Sequence, residues 1–563
     1  MSVIDWIVLC GFLGFIVIFG IWKSRGSKDI KQFLLANKST PWYMVTLSIM
    51  ATQASAITFL STPGQAYADG MRFVQFYIGL PIAMIILSIT AVPIFHRLQV
   101  YTAYEYLEQR FDLKNRALGS ILFLIQRGLA AGFTILAPAL ILSVLLGWNL
   151  NITIIAIGIL VIIYTTSGGT EAVNKTHLLQ MSVIFAGMIT AFVMIFYNLP
   201  QDISVIDALH VAGKSGKLNA IDFSFNLEDK YTFWSGLIGG TFLALSYFGT
   251  DQSQVQRYLA GSSIAQSRTA LLMNGIVKIP MQFFILFIGA MVFVFYQFIT
   301  PPLYFNPVQQ ESVKESSYSN EYRELENQFN ELHRQKQDVL RSMLTARDQQ
   351  NDPEMRMEQT KIFNLQAQIN DIKNSATSLI KKAVPASDGN DTNYIFLSFV
   401  IGFLPVGIIG LVLAAILSAS MSSTSAELNA LASTTVVDIY KRMINPYADE
   451  KRYLLVSKAA TVFWGLYAIA FALFANSLGT LIEAVNVLGS LFYGTILGIF
   501  LVAFYIKKVK GTATFYAALI AEIIVLLFFF FSSVPYLWFN FIGCVLVVLL
   551  ALIFEKSKML ISV

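Results

Sequence analysis

Long apolar stretches recur along the whole chain and are separated by shorter polar segments. A window of about 20 apolar residues, the length that spans the hydrocarbon core of a bilayer, predicts about 13 transmembrane helices. They lie near 3–22, 42–67, 73–96, 117–146, 152–167, 176–199, 233–255, 270–299, 393–433, 454–476, 479–506, 512–532 and 535–554. We therefore expect an all-α polytopic membrane protein that lies in the lipid bilayer.

Composition agrees with this expectation. Of the 563 residues, 56% are hydrophobic and only 13% are charged, a balance outside the range of soluble domains. Cys10 and Cys544 both fall in apolar segments, so we expect no disulfide framework and no cysteine metal site. The net charge of +5 is small, and we expect no nucleic-acid partner. The first apolar run has no basic segment before it, which predicts an anchor rather than a cleaved signal peptide.

Basic residues are concentrated in alternate loops between the apolar segments. These loops carry Lys23, Arg25, Lys28, Lys31, Arg97, Arg110, Lys114, Arg116, Lys175, Arg257, Arg268, Lys441, Arg442, Lys451, Arg452, Lys507, Lys508, Lys510, Lys556 and Lys558. Cytoplasmic loops hold an excess of lysine and arginine. The pattern predicts a plasma-membrane or inner-membrane protein with its N-terminus outside and its C-terminus in the cytoplasm.

One long segment, 306–391, breaks the apolar pattern. Leu, Ile, Phe and Met recur at helical spacing over 320–350 and 354–382, and Asn351, Asp352 and Pro353 between them are turn residues. We expect an antiparallel helical hairpin on the outer side; the alternative is a partly disordered polar insert. The segment could bind a protein partner or cap an outer vestibule.

The segment from Leu413 to Asp438 is rich in hydroxyl groups. On a helix, spacings of three and four place its polar side chains on two neighbouring stripes. One stripe holds Ser418, Ser422, Ser425 and Asn429, and the other holds Ser420, Ser423, Glu427 and Thr434. The stripes either permit close helix packing or supply oxygen ligands for a small cation. Glu427 favours a site, because an ionisable group inside a membrane is costly.

Two other apolar segments carry polar residues at mid-membrane depth, which predicts interrupted helices. The polar residues are Thr52, Gln53, Ser55 and Thr58 in the second segment, and Thr250, Asp251, Gln252 and Ser253 in the seventh. Irregular backbone is tolerated at that depth where it lines a cavity or is buried in protein. Interruptions five segments apart indicate two halves related by an inverted repeat, with a binding site between them.

Several motifs resemble the sodium/solute symporter family, in particular its iodide, monocarboxylate and multivitamin carriers. They are Tyr104–Glu108 before Arg110 and Phe111, Ala137–Leu142, Gly168 and Gly169 with Ala172 and Val173, and Val255–Leu259. The resemblance covers the membrane part but not the insert. It implies a leucine-transporter-type core of two five-helix inverted repeats, formed by the second to eleventh segments.

This resemblance implies a division of the chain around that core. The parts are 1–41 with an extra helix and a loop, 42–200 with the first repeat, 201–231 with an outer loop, 232–305 with core helices six and seven, 306–391 with the insert, 392–506 with core helices eight to ten, and 507–563 with two further helices.

The resemblance also implies a sodium site between the first and eighth core helices, where Na+ would bind as the coupling ion. Its matching positions are Ala51, Ala54, Ala419, Ser422 and Ser423. Some relatives have a second sodium site, but His177 stands where its Asp would be, and the helix positions are Ser425 and Ala426. Glu427 could supply the missing charge, paired with His177, as a structural ion pair, a proton-linked element or a rearranged cation site.

The resemblance places the solute between core helices one, two, three, six, seven and ten. The substrate candidates are Gln53, Ser55, Thr58, Tyr77, Arg127, Phe248, Asp251, Gln252, Lys278, Glu483 and Asn486. Tyr77 replaces the acidic contact of the sugar carriers. Arg127 either extends toward the headgroups or grips a substrate carboxylate with its guanidinium. Asp251 could pair with Arg127 or hold a substrate amine or hydroxyl. Lys278 could be a structural partner or contact the solute directly, and Phe248 could be a stacking wall, a gate or a packing residue.

The sequence thus predicts a sodium-coupled symporter that imports a small organic solute bearing a carboxylate by alternating access. Alternatives are a proton-coupled or sugar/polyol symporter of the same fold, or a transporter-like receptor that binds a partner through its insert. An enzyme is not expected, because no catalytic or metal-binding spacing relates the four histidines, His96, His177, His210 and His333.

Overall fold

The computed structural model describes residues 1–24, 40–385, 387, 389–475 and 480–561. Within them the regular structure is helical, and Thr40 and Gly261 form an isolated β-bridge. The helices are α1 (Val3–Ser24), α2 (Trp42–Gln53), α3 (Ala56–Asp69), α4 (Leu80–Ile89), α5 (Ala91–Leu98), α6 (Ala103–Arg110), α7 (Leu113–Leu146), α8 (Leu150–Tyr197), α9 (Val205–Lys214), α10 (Gly240–Gly249), α11 (Gln252–Leu259), α12 (Ile264–Phe298), α13 (Pro307–Lys314), α14 (Ser319–Asp348), α15 (Asp352–Ala383), α16 (Ile395–Phe403), α17 (Ile408–Thr434), α18 (Glu450–Ala475), α19 (Leu481–Tyr505), α20 (Gly511–Phe531) and α21 (Tyr536–Ile561).

Short irregular helical segments join some of these helices. They are 3₁₀ turns at Gly70–Tyr77 and Thr392–Tyr394 and π-helical segments at Ser235–Gly239 and Thr435–Ile444. Nine stretches of the described chain are long and apolar enough to cross a membrane, and shorter apolar helices accompany them. The chain is a multi-pass membrane protein, as the apolar pattern predicts.

The predicted segment boundaries need two corrections. The segment near 393–433 is two helices, α16 and α17, because Pro405 lacks a backbone N–H and Gly407 adopts a φ of +88° between them. The segments near 152–167 and 176–199 lie in one helical run, α8, whose apolar parts are Leu150–Ile163 and Leu179–Tyr197.

Helix α17 lies at the centre of the membrane part. Nearly every residue from Val412 to Thr434 is buried, and the helix contacts α1, α2, α3, α7, α8 and α18. Its first turn is held by Asp5 of α1, whose carboxylate accepts from the backbone N–H groups of Gly407 at 2.6 Å and Gly410 at 3.3 Å. A carboxylate satisfies the free N–H groups of a helix start and stabilises its dipole.

The insert contains the two helices predicted for it, α14 and α15, with the turn at Gln349–Asn351. The helices pack on each other around a small apolar core that includes Tyr322, Phe329 and Ile369. Lys336 of α14 donates hydrogen bonds to Gln297 at the end of α12 and to Gln366 of α15. The hairpin is therefore joined to the membrane helices by polar contacts as well as by the chain.

Candidate functional site

Both predicted interruptions are present. Helix α2 ends at Gln53, where Ala54 leaves helical geometry at φ −90° and ψ 67°, and Ser55 caps α3 by accepting from the backbone N–H of Ile57 at 3.3 Å. Helix α10 ends at Gly249, and Asp251 caps α11 by accepting from the backbone N–H of Ser253 at 2.9 Å. Each break brings helix-terminal carbonyl and N–H groups into the interior, where they lack intrahelical partners.

A cavity of about 100 Å³ lies between these breaks and helices α7, α17 and α19. Six of the predicted substrate residues line it: Gln53, Ser55, Thr58, Tyr77, Arg127 and Asn486. The lining also includes Thr52, which the sequence analysis assigned only to the helix interruption, and polar or aromatic residues that it missed, namely Phe76, Gln126, Thr134, Tyr247 and Tyr493. Gln126 directly precedes Arg127, so its polar side chain inside an apolar segment was the available signal.

Arg127 is the centre of a buried charge cluster beside the cavity. Its guanidinium pairs with Asp251, donates to Glu427 at 3.1 Å, and donates to the Tyr493 hydroxyl at 2.7 Å. The Tyr493 hydroxyl in turn donates to Asp251 at 2.9 Å. One cation thus faces two carboxylates, so the cluster carries a net negative charge when all three groups are ionised. Arg127 extends into the protein interior, and its alternative orientation toward the headgroups is wrong.

Three polar atoms of the lining residues are buried without a hydrogen-bond partner in the described part of the chain. They are Gln53 Oε1, Gln126 Oε1 and Arg127 Nε. Nearly all buried polar groups in folded proteins find a partner in protein, water or ligand. Three such atoms around one cavity can bond to water or to a polar ligand there.

Five predicted substrate residues lie outside the cavity lining. Phe248 packs against the Tyr247 ring at a centroid distance of 4.9 Å, and Asp251 lies behind Arg127. Gln252 accepts from the N–H of Ala103 at 3.0 Å and donates to the Tyr101 carbonyl at 2.9 Å, so it secures a neighbouring loop.

The other two are Lys278 and Glu483. The Lys278 ammonium lies 5.8 Å from the centre of the Tyr77 ring, one layer away from the cavity. Glu483 pairs with Lys230. The sequence alone cannot distinguish these two residues from residues that line the cavity, because all of them are polar side chains in apolar segments.

The five predicted sodium ligands are all buried. Ala51 and Ala54 lie at the break after α2, Ala419, Ser422 and Ser423 lie on α17, and these two helices contact each other. The Ser423 hydroxyl donates to the Ser420 carbonyl at 3.0 Å, the local bond expected for a packing role. A hydroxyl that donates still offers lone pairs, so this bond is compatible with a cation ligand.

The predicted ligand set suits a monovalent cation. The described residues contain no group of three His, Cys, Asp or Glu that could hold a metal ion. Carbonyls of an unwound segment and neutral hydroxyls are the ligands used for sodium in broken-helix transporters.

The second candidate cation site is only partly described. The side chain of His177 lies outside the described residues, Ser425 is buried, and Glu427 accepts from Arg127 and from Thr134 Oγ1 at 3.2 Å. Glu427 therefore obtains its charge partner from α7, which accounts for a carboxylate at this depth without the predicted pairing to His177.

Comparisons with known proteins agree with this architecture. The model of the "Sodium:solute symporter family" matches residues 33–314 and 372–521, leaving out most of the hairpin. The sodium-coupled monocarboxylate transporter 1 of Xenopus laevis is 36% identical over 276 residues, which are 48% of this chain and 44% of the relative. The chain thus spans less than half the length of this relative in the matched region.

Other relatives match over nearly the whole chain. The sodium/sialic acid symporter NanT of Aliivibrio fischeri is 26% identical over 553 residues, covering 97% of this chain and 92% of the relative. A solved structure, the substrate-bound outward-open state of a Na+-coupled sialic acid symporter, superimposes with a TM-score of 0.74 at 23% identity, over 99% of this chain and 98% of that one. The core has the leucine-transporter-type fold, and the chain belongs to the sodium:solute symporter family.

Proposed function

We propose that this protein is a sodium-coupled secondary active symporter that imports a small organic solute bearing a carboxylate. The observation that carries the proposal is the cavity with three unsatisfied polar atoms, placed between two broken helices and beside the hydroxyl-rich α17. Its relatives are named for sodium-coupled transport of monocarboxylates and sialic acid, both carboxylates. Sodium would bind to Ala51, Ala54, Ala419, Ser422 and Ser423, and the solute to the cavity.

The charge cluster changes the role expected for Arg127. Because Asp251 and Glu427 already neutralise its guanidinium, Arg127 supplies little free positive charge to a solute carboxylate. The start of α3 at Ser55 is the better partner, since helix N-termini offer free N–H groups and a positive dipole end to anions. A sodium ion at the adjacent break would add a full charge. This arrangement explains why solute and sodium would bind together.

Transport would follow from alternating access. Sodium binding would favour the conformation open to the outside, solute binding would close it, and both would leave on the other side. One sodium ion moving down the membrane potential supplies about 2.3 kcal/mol per 100 mV, in addition to its concentration gradient. That energy is sufficient to concentrate a small solute.

We further propose that the N-terminus and the hairpin lie outside and that the C-terminus is cytoplasmic, in a plasma or inner membrane. The distribution of basic residues over alternate loops supports this orientation. Of the two roles considered for the hairpin, its contacts with Gln297 and α9 favour covering the outer vestibule over binding a protein partner.

Uptake by proteoliposomes tests the proposal. We expect uptake of lactate or sialic acid under an inward sodium gradient and little uptake without it. Ser422→Ala with Ser423→Ala should lower the apparent sodium affinity about tenfold or more, because two oxygen ligands are lost. Ser433→Ala is the matched control, since that buried hydroxyl on the same helix bonds to the Ala430 carbonyl away from the predicted ligands.

Two outcomes would contradict the proposal. Equal uptake with the serine pair removed would exclude the sodium site. Uptake driven by a pH jump without sodium would identify a proton-coupled symporter instead.

A further inference from the structure

A second cavity, of about 500 Å³, lies between the hairpin and the membrane helices. Its walls come from the end of α3, from α9 and the loop after it, from α12, and from both hairpin helices. Tyr67 lines this cavity, whereas Thr58 of the same helix lines the central one. Nine residues of helix separate the two positions, which is about 13 Å. We call it the basic cavity because of its lysines.

The charged side chains that line the basic cavity are all lysines. Lys214, Lys217, Lys336 and Lys373 line it, and its lining contains no aspartate or glutamate. Two carboxylates outside the lining interact electrostatically with these lysines, Asp69 with Lys217 and Asp391 with Lys373. A concave surface with one sign of charge concentrates ions of the opposite sign.

The central lysine of this group is buried and held in place. Lys336 is 4% exposed, and its ammonium donates to Gln297 and Gln366, which leaves its charge without a carboxylate among its described contacts. Lys217 lies 4.6 Å from the centre of the Phe293 ring, and Lys373 lies 5.8 Å from that of Phe329. Lys217 also donates to the Ala68 carbonyl. Neither a ring face nor a carbonyl carries a charge that neutralises an ammonium group, so an anion in the cavity can still pair with these lysines.

His333 adds an acceptor to the same wall. The ring is 3% exposed, stacks on Phe329, and hydrogen-bonds to the backbone of Tyr296, while its Nε2 has no partner in the described structure. Burial, together with Lys336 and Lys373, lowers the pKa of His333 to about 4. The ring is therefore neutral at pH 7, and its free Nε2 accepts a hydrogen bond, for example from a hydroxyl group.

Burial of Lys336 has an energetic consequence. Desolvation, with repulsion from Lys373 and Lys217, lowers the pKa of Lys336 to about 7, compared with 10.5 in water. An anion within the cavity would oppose both effects, because it offers the ammonium an opposite charge. Binding of the anion and protonation of Lys336 are therefore linked.

We propose that the basic cavity is a binding site for a small hydroxycarboxylate, whose carboxylate pairs with Lys336 and Lys373 and whose hydroxyl donates to His333 Nε2. The aromatic walls, which include Tyr67, Phe293 and Phe329, accommodate the carbon skeleton. The site is separate from the central cavity, and its occupancy does not depend on the transport proposed above. A solute held there would be kept at the entrance side of the central cavity.

A fluorescent reporter in the full-length purified chain tests this site. The chain has two cysteines, and Cys544 is buried, so Asn370→Cys in a Cys10→Ser background gives one reactive thiol in the cavity wall. We expect lactate in sodium-free buffer to change the fluorescence of a label on this thiol with a saturable dose response. Neutral lactamide should give no response, and propionate, which lacks the hydroxyl, should bind more weakly.

Lysine variants identify the source of the response. Lys336→Met with Lys373→Met should weaken lactate binding about tenfold or more, since hydrogen bonds to charged groups are lost. Lys361→Met is the matched control, because this exposed hairpin lysine pairs with Glu358 and does not line the cavity. If the double variant unfolds, Lys373→Gln alone gives the same test, because it removes one of the two proposed ammonium partners at a half-buried position. Calorimetry on the unlabelled chain excludes blockage by the label.

The pH dependence follows from the linkage. Lactate affinity should be greatest below pH 7 and should fall as the pH rises above about 7, because Lys336 must take up a proton when the anion binds. Calorimetry in buffers of different ionisation enthalpy should detect this proton uptake. An equal response to lactamide, a response unaffected by the lysine variants, or binding of inorganic phosphate without binding of lactate would overturn the proposal.

Discussion

Arg127, Asp251 and Glu427 come from helices that are distant in sequence, with separations of 124 and 300 residues between the paired groups. The sequence indicated that each charge was costly at its depth and suggested the pairing of Arg127 with Asp251. It could not assign Glu427 to Arg127, because periodicity relates only residues one or two turns apart on the same helix. The contribution of Tyr493 had no sequence signal, since a tyrosine in an apolar helix is ordinary.

Removing the cation of this cluster should be more harmful than removing one carboxylate. Arg127→Met leaves Asp251 and Glu427 buried without a counter-charge, and we expect a destabilisation of about 3–5 kcal/mol. Glu427→Gln leaves Arg127 paired with Asp251 and Tyr493, so its effect should be much smaller. Thermal unfolding in detergent measures both. A smaller fall in Tm for Arg127→Met than for Glu427→Gln would refute the cluster.

At the scale of elements, the polar runs in the second and seventh segments identified both broken helices correctly. The split between α16 and α17 was missed because the apolar residues on either side of Pro405 mask the turn. The predicted span ends at residue 433, so the π-helical segment Thr435–Ile444, which continues directly from α17, was also missed. It carries Asp438, a fully buried carboxylate that accepts from Thr102 and Arg116 at 2.8 Å each.

This segment is joined by Asp438 to the loop before α6 and to α7. We expect Asp438→Asn to lower the Tm markedly, because Arg116 would lose its buried carboxylate partner and keep Glu108, 2.8 Å away and 18% exposed, and the Val437 carbonyl, 3.2 Å away. The loss should be about 3–5 kcal/mol, as for other broken buried pairs. Glu450→Gln, an exposed change at the start of α18, serves as the control in the same unfolding measurement. Equal Tm values for both variants would show that Asp438 has no structural role.

For the whole molecule, the hydropathy pattern predicted the class of protein and the helical nature of the insert, and the family motifs predicted the core. The sequence could not predict how the hairpin lies on the membrane part, since the contacts join residues that are far apart in sequence. Arg347 near the turn pairs with Asp207 of α9, and Arg341 pairs with Asp202 at 2.8 Å. Burial acts against the ionised form of Asp207, but hydrogen bonds from Ser204 and Arg347 outweigh it and lower its pKa.

These two ion pairs should hold the tip of the hairpin without stabilising the whole protein. Arg341→Ala with Arg347→Ala should speed hydrogen exchange at the turn and in α9 and leave the Tm nearly unchanged. The Arg341 pair is exposed and the Arg347 pair is half-buried at the surface, where an ion pair contributes about 1 kcal/mol or less. Arg334→Ala, which removes an exposed pair with Glu331 inside α14, is the matched control. Unchanged exchange in the double variant would mean that apolar packing alone positions the tip.

The joint between α2 and α3 also decides how the molecule can move. An unbroken helix of the same length would be rigid, so a tilt of its end at one face of the bilayer would also move its end at the opposite face. The Thr58 hydroxyl of α3 donates a long hydrogen bond, 3.4 Å, across this joint to the Gln53 carbonyl of α2. Helices α2 and α3 could therefore tilt independently of each other. An ion bound at the break would link both helices to α17, and this link would be lost when the ion dissociates. The hinge between α2 and α3 and the predicted sodium site would then be formed by the same backbone atoms.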